Sequence, residues 1–180
     1  MKSIKSFGAM AAGTIMSCFI FSGTAFSRES PKLTDPEIAS VAVTANQIDI
    51  DYASIASKKS KNADILKFAE TMARDHKAVI DKAVTLVTKL GVTPKDNAVS
   101  QKLNDDAEAT KKMLHSKSGK AFDKAYIDNE VAYHKAVINA VETLLIPQSQ
   151  NAELKQLLQD VVPALKAHLA HAEMLQKDLN

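Results

Sequence analysis

The sequence predicts an all-α protein: an antiparallel four-helix bundle with an extra helix in the crossover connection. Three observations carry this. Apolar residues recur in three- and four-residue steps over four long stretches. Of five glycines, only Gly91 and Gly119 lie beyond residue 27, and both fall where a helical pattern stops. Apolar and polar residues never alternate strictly over a long run, so nothing reads as a strand.

The N-terminus stands apart from that pattern. Lys2 and Lys5 make a positive start, Phe7 to Phe21 is apolar with small residues, and Gly23, Thr24 and Ala25 offer small residues for cleavage. Residues 1–27 therefore read as a secretory signal peptide, and residues 28–180 as the folded domain. The apolar core is shorter than the ~20 residues a bilayer span needs. The expected location is the periplasm or the medium. Ile15-Met16-Ser17-Cys18 offers a lesser alternative, a lipoprotein processed at Cys18. Cys18 is the one cysteine, so a chain cleaved after it has no disulfide and no thiolate chemistry.

The first helix is expected to start at Thr34-Asp35-Pro36-Glu37, which can form a capping box with proline in the first turn. Its stripe is Ile38, Val41, Ala42, Ala45, Ile48, Tyr52, Ile55 and Ala56, and Ser60-Lys61-Asn62 supplies a break. The second stripe runs from Ile65 through Phe68, Met72, His76, Val79 and Ala83 to Leu90, then stops at Gly91 and Pro94. A polar, lysine-rich helix over about 99–115 is expected to be partly exposed and to serve as the crossover. After Gly119 the third stripe is Phe122, Tyr126, Asn129, Tyr133, Val137, Ala140 and Leu144, closed by a turn at 147–151. The last stripe runs from Leu154 to Leu179 with Pro163 inside it, which should bend the helix near Gln159. Four helices of roughly 25 residues are each about 37 Å long.

Polar residues interrupt these stripes at similar heights. His76 lies on the second, His168 on the fourth, and His134 beside the third on a line with Tyr126 and Glu130. Asp49 shares the first helix's inner face, and its distance from the first turn differs from that of His76 by about 6 Å of helical rise. Three imidazoles and carboxylates converging between helices are the way bundles build metal sites. Imidazole suits zinc, copper, iron and nickel. The candidate ligands are therefore His76, His134, His168, Asp49 and Glu130 for a transition-metal ion, with a small ligand as the other occupant. His171 lies toward an edge and His115 at the surface. Asp75 is expected to point outward beside an inward His76.

A structural role competes with this. A histidine on an apolar face is commonly a hydrogen-bonded core residue, and Tyr126 with His134 or Asp123 would cross-link helices. The di-iron pattern needs Glu-x-x-His on two helices, whereas Ala73, Val131 and Leu165 stand three before the histidines. No Gly-rich phosphate loop, His-Glu-x-x-His or nucleophile elbow is present. The formal charge of +2 comes from 23 basic and 21 acidic residues, and Lys2 and Lys5 belong to the leader. The rest is formally neutral and has few aromatic residues, which argues against nucleic-acid binding.

Several stretches together resemble a known family. They are Ala45-Asn46-Gln47-Ile48-Asp49, Phe68-Ala69-Glu70-Thr71-Met72-Ala73-Arg74-Asp75-His76, Ala121 to Ile127, His134, and Val162-Pro163-Ala164-Leu165-Lys166-Ala167-His168-Leu169. The chain is similar over about 38–176 to the ferritin-like secreted bacterial proteins grouped as domain of unknown function 4142. The resemblance implies a ferritin-like bundle and export, carries over His76, His134 and His168, and implies no established reaction. The family usually has Glu where this chain has the shorter Asp49.

The combined expectation is an exported protein that binds a metal ion or small ligand at the His/Asp cluster, in stress tolerance or metal handling rather than turnover. Self-association into a homo-oligomer is a further expectation. The alternative is a non-catalytic envelope protein whose histidines are structural and whose helices bind a partner.

Overall fold

The computed structural model describes residues 31–179, all helix and connecting turns. The expected signal peptide and Cys18 lie outside the described residues. Helix α1 spans Asp35–Lys59, α2 Ala63–Leu90, α3 Ala98–His115 and α4 Gly119–Ala140. A π-helical turn, Val141–Leu145, and a last short turn α5, Ile146–Gln148, extend α4, and α6 spans Ala152–Asp178.

The helix starts follow their capping chemistry. Thr34 donates its backbone N–H to the Glu37 carboxylate at 2.9 Å and its hydroxyl at 2.7 Å, which closes the start of α1. The Asn62 side chain accepts from the Asp64 N–H at 2.9 Å, and that of Asn151 accepts from Glu153 and Leu154 at 2.9 and 3.0 Å. Gly91 ends α2 at φ 64°, a left-handed cap where a side chain would be strained.

Contacts between distant residues set the directions. Lys59 at the end of α1 donates to the Leu114 carbonyl at the end of α3, at 3.1 Å. Asp35 at the start of α1 accepts from the backbone of Gln150 and Asn151, at 2.9 and 2.8 Å, in the turn between α4 and α6. Hence α1, α3 and α6 run one way and α2 and α4 the other. α1 packs on α2 and α4, and α6 packs on the same two, so every neighbouring pair of the bundle is antiparallel. α3 returns the chain along the outside of α1 and buries only Ser100, Ala107 and Leu114.

Two details differ from the sequence expectation. Pro147 does not open the turn but sits in the last helical turn. It has no N–H to give back to the preceding turn, and the ladder there widens to a five-residue step, with Ile146 N–H reaching the Val141 carbonyl. The buried face of α4 is also rotated. It centres on Phe122, Tyr126, Glu130, His134 and Ile138, whereas Asn129, Tyr133 and Val137 are half-buried. α1 and α6 grip α4 from two sides, which draws the Glu130–His134 line to the centre. α6 runs through Pro163 without interruption.

The core has two parts. Toward the α1–α2 turn it is built around Tyr52, Phe68, Met72, Phe122 and Tyr126. Toward the α4–α6 turn it is aliphatic, with Ile38, Val41, Ile138, Leu145, Leu154, Leu158 and Leu165. Between these parts, at mid-height, lie the buried Asp49, His76, Glu130, His134 and His168. No helix among the described residues is long and apolar enough to cross a membrane.

Candidate metal centre

Each helix of the four delivers one part of a central cluster. α1 brings Asp49, α2 His76, α4 Glu130 and His134, and α6 His168; all five are buried. The i, i+4 spacing of Glu130 and His134 stacks them one turn apart on one face of α4. The three imidazoles form a triangle with ring centroids 5.7, 5.3 and 5.6 Å apart. They can each offer a nitrogen within 4.8 Å of the others, and Asp49, Glu130 and His134 form a second such group that shares His134.

Each ring is held on one nitrogen and bare on the other. His76 Nδ1 lies 2.7 Å from the Asn46 side-chain oxygen, His134 Nδ1 lies 3.0 Å from the Glu130 carbonyl, and His168 Nε2 lies 3.0 Å from Asp75. Each partner atom is an oxygen that accepts, so the proton sits on those nitrogens. The remaining nitrogens, His76 Nε2, His134 Nε2 and His168 Nδ1, have no hydrogen-bond partner among the described residues. In a neutral ring each of these carries a lone pair. Asp49 Oδ2 approaches His76 Nε2 at 3.3 Å and His134 Nε2 at 3.7 Å. Neither approach is a hydrogen bond, and both Asp49 oxygens and both Glu130 oxygens are also unpartnered among the described residues.

Burial sets the charge state. It pushes the Asp49 carboxyl up to about 8. It also raises Glu130 well above the usual range, helped by the charge of Asp49. It drives His76 down to about 3, with repulsion from His134 and His168 adding to it, and His134 down to about 4. At neutral pH the protein on its own thus holds His76 and His134 neutral and its inner carboxyls protonated.

The donor set fits a borderline transition ion: three imidazole lone pairs with two carboxyls beside them. Three nitrogens on one ion at ~2.0 Å stand about 3.3 Å apart in tetrahedral geometry, so the rings need draw in by only about 1 Å each from the 4.8 Å limit. An outer hydrogen bond that fixes the tautomer of each ring is the usual support of metal-binding histidine.

Sequence reasoning did not name these outer partners. Asp75 does not simply point outward: its carboxylate, one-third exposed, turns to accept from His168 and also meets Arg74 at 2.8 Å. Burial would raise Asp75, but the hydrogen bonds from Arg74 and His168 outweigh it and hold the carboxyl below its ordinary value. Asn46 and Tyr133 complete the surround, the latter donating its hydroxyl to the Ala45 carbonyl at 2.8 Å. Asn46 had a signal, since it stands one turn before Asp49. Tyr126 makes no hydrogen-bonded link to His134 or Asp123: its hydroxyl is buried without a hydrogen-bond partner among the described residues, as is one Asp123 oxygen. His171 packs edge-on against Phe68 at 5.1 Å, outside the cluster, and His115 is exposed.

A model of the family described as domain of unknown function (DUF4142) matches residues 22–175. No curated protein matches the chain. Among solved structures, that of CopM in the Cu(II)-bound form is similar, with a TM-score of 0.60 and 18% identity. The match covers 81% of this chain and 98% of that one. At this identity the likeness shows the helical-bundle fold.

Proposed function

The chain belongs to the DUF4142 family, whose description assigns no reaction, and from the site itself we propose that it is a metal-handling protein that takes one transition-metal ion between His76, His134 and His168. Asp49 and Glu130 stand beside that ion as further ligands or as hydrogen-bond partners. One observation carries the reading: three buried imidazoles each turn an unpartnered nitrogen inward while an outer oxygen fixes the other. Leaving such atoms unsatisfied costs about 1–3 kcal/mol each, and a cation removes that cost at several groups together. The structural neighbour CopM was solved with Cu(II) bound, which makes Cu(II) the first ion to try.

The proposal includes export. Residues 1–27 act as a cleaved leader, residues 28–180 fold as one domain, and the protein binds metal outside the cytoplasm to buffer or carry it. Terminal sequencing of the protein recovered from its host compartment tests the leader.

Metal analysis tests the centre. EDTA-stripped protein dialysed against Cu(II), Zn(II) or Ni(II) should retain one ion per chain. A His76→Ala/His168→Ala variant should bind at least a hundredfold more weakly, in line with the loss of two ligands. Substoichiometric metal, or uptake unchanged in that variant, would overturn the reading and leave the histidines as structural groups.

A further inference from the structure

A cavity of about 680 Å³ runs from the histidine cluster into the half of the bundle that ends at the α4–α6 turn. We infer that it is a binding chamber for a straight-chain molecule of about a dozen carbons with one oxygen head group, an alkanoic acid or alkanol, whose head meets the cluster. Such a chamber does not need the metal.

The lining and shape of the chamber specify the occupant. The inner wall is aliphatic: Val41, Val87, Val141, Leu145, Leu154 and Leu158 line it. Beyond the cluster histidines and the neighbouring Tyr52 and Tyr133, no aromatic ring among the described residues lines it, so nothing along its length stacks on a flat ligand. From His134 to Leu145 along α4, and from Leu157 to His168 along α6, the rise is about 16 Å, the extended length of about twelve carbons. The deep polar groups are gathered at one end, which asks for a single polar terminus. At that end His76 Nε2, His134 Nε2 and His168 Nδ1 carry lone pairs without donors, and Asn129 Nδ2 is a donor without an acceptor. A hydroxyl or protonated carboxyl both donates and accepts, and so matches that mixture. The chamber reaches the surface at several edges; between α2 and α6, Ala78, Lys82, Asp160 and Ala164 are exposed along it, as are Asp106 on α3 and Ala132 and Ala136 on α4. The α2 and α6 residues contribute two small side chains that leave an opening and two charged ones that flank it.

The volume lies within the range of small-molecule sites, ~300–1,000 Å³. It arises because the facing helices carry alanine where a packed bundle carries leucine: Ala42 and Ala45 on α1, Ala83 on α2 and Ala140 on α4.

Calorimetric titration of EDTA-stripped protein with dodecanoic acid and with hexanoic acid tests this. Dodecanoic acid should bind about a thousandfold more tightly, because six more methylenes leave water. Ring-proton NMR resonances of His76, His134 and His168 should shift on binding while that of exposed His115 does not. Ala42→Leu and Ala83→Leu, each checked for a cooperative melt, should weaken dodecanoic acid binding about tenfold or more by occupying the chamber, and should leave Cu(II) uptake intact. Equal affinity for the two acids, or shifts that miss the buried histidines, would overturn the chamber. Chain binding without metal uptake would overturn the metal centre alone, and metal uptake without chain binding would overturn the chamber alone.

Discussion

The two halves of the bundle are made of the same four helices and pack differently. In the half next to the α1–α2 turn, aromatic rings fill the space: Phe122 and Tyr126 stack at 6.2 Å, and Phe68 meets Tyr126 edge-on at 6.1 Å. In the other half the side chains are aliphatic and leave a large cavity. The difference teaches that this sequence concentrates its stability in one half. The polar centre sits at the boundary, braced from one side and accessible from the other.

Truncation should break the two halves unequally. Phe122→Ala removes a ring with no exposed surface and should cost about 4 kcal/mol in a urea melt, the usual range for buried Phe. Leu158→Ala should cost only about 2 kcal/mol, the low end for buried Leu, because its side chain already faces open space and loses fewer contacts. Equal losses would mean that the chamber closes in solution and that the two halves pack alike.

Metal should tie the halves together. An ion shared by α2, α4 and α6 links the ends of both clusters. At a free-ion concentration of a hundred dissociation constants it should stabilise the protein by about 2.7 kcal/mol. Chelation should reverse this, with the largest loss of amide-exchange protection at the residues around His76, His134 and His168. If protection falls only at exposed sites, the ion is bound elsewhere.

Much of this arrangement was legible in the residues, and the limits have physical causes. Asn62, Asn151 and Gly91 announce helix ends through local capping chemistry, so the element order could be read directly. His76, His134 and His168 were legible as a cluster because the helical rise and two short turns fix their heights. Asp75 was not, because its reach to His168 depends on how closely α2 and α6 approach, which no local pattern encodes. The cavity was hidden for the same reason. Ala42, Ala45 and Ala83 read as ordinary members of apolar stripes, and only their meeting across the bundle makes a space. Pro147 reads as a turn residue by itself, because the widened helical step that accommodates it is a cooperative backbone adjustment.

The acids at the boundary give a pH signature. Asp49 titrates near 3.9 in an unfolded chain and is pushed up to about 8 in the fold. The folded state therefore binds the extra proton, and its stability is full below about pH 4 and falls as pH rises toward 8. His76 acts in the opposite sense: its folded value is about 3, so its contribution is full above about pH 6.5 and is lost as pH falls toward 3. In metal-free protein, Asp49→Asn should remove the decline between about pH 4 and 8 and raise stability at pH 8, while weakening metal uptake. Melts from pH 5 to 9 on the two proteins check this. Parallel curves would mean that Asp49 is solvated or paired in solution, and the boundary would then be less dry than its burial indicates.

The smallest effect bears most directly on why the looser half exists. Ala83 is 6% exposed and faces the chamber, so Ala83→Leu adds apolar atoms to space that is already open. Filling such a space commonly stabilises by about 0.5–2 kcal/mol, and the open edge between α2 and α6 places the expected gain near the lower figure. A rise in the urea midpoint with an unchanged slope would show that the native packing falls short of what the same backbone supports. A chain that forgoes this stability along one length of its core, while packing the other length with rings, keeps the space for something that enters it. If Ala83→Leu destabilises instead, the chamber walls already meet in solution. The contrast between the halves would then be one of side-chain type rather than of packing.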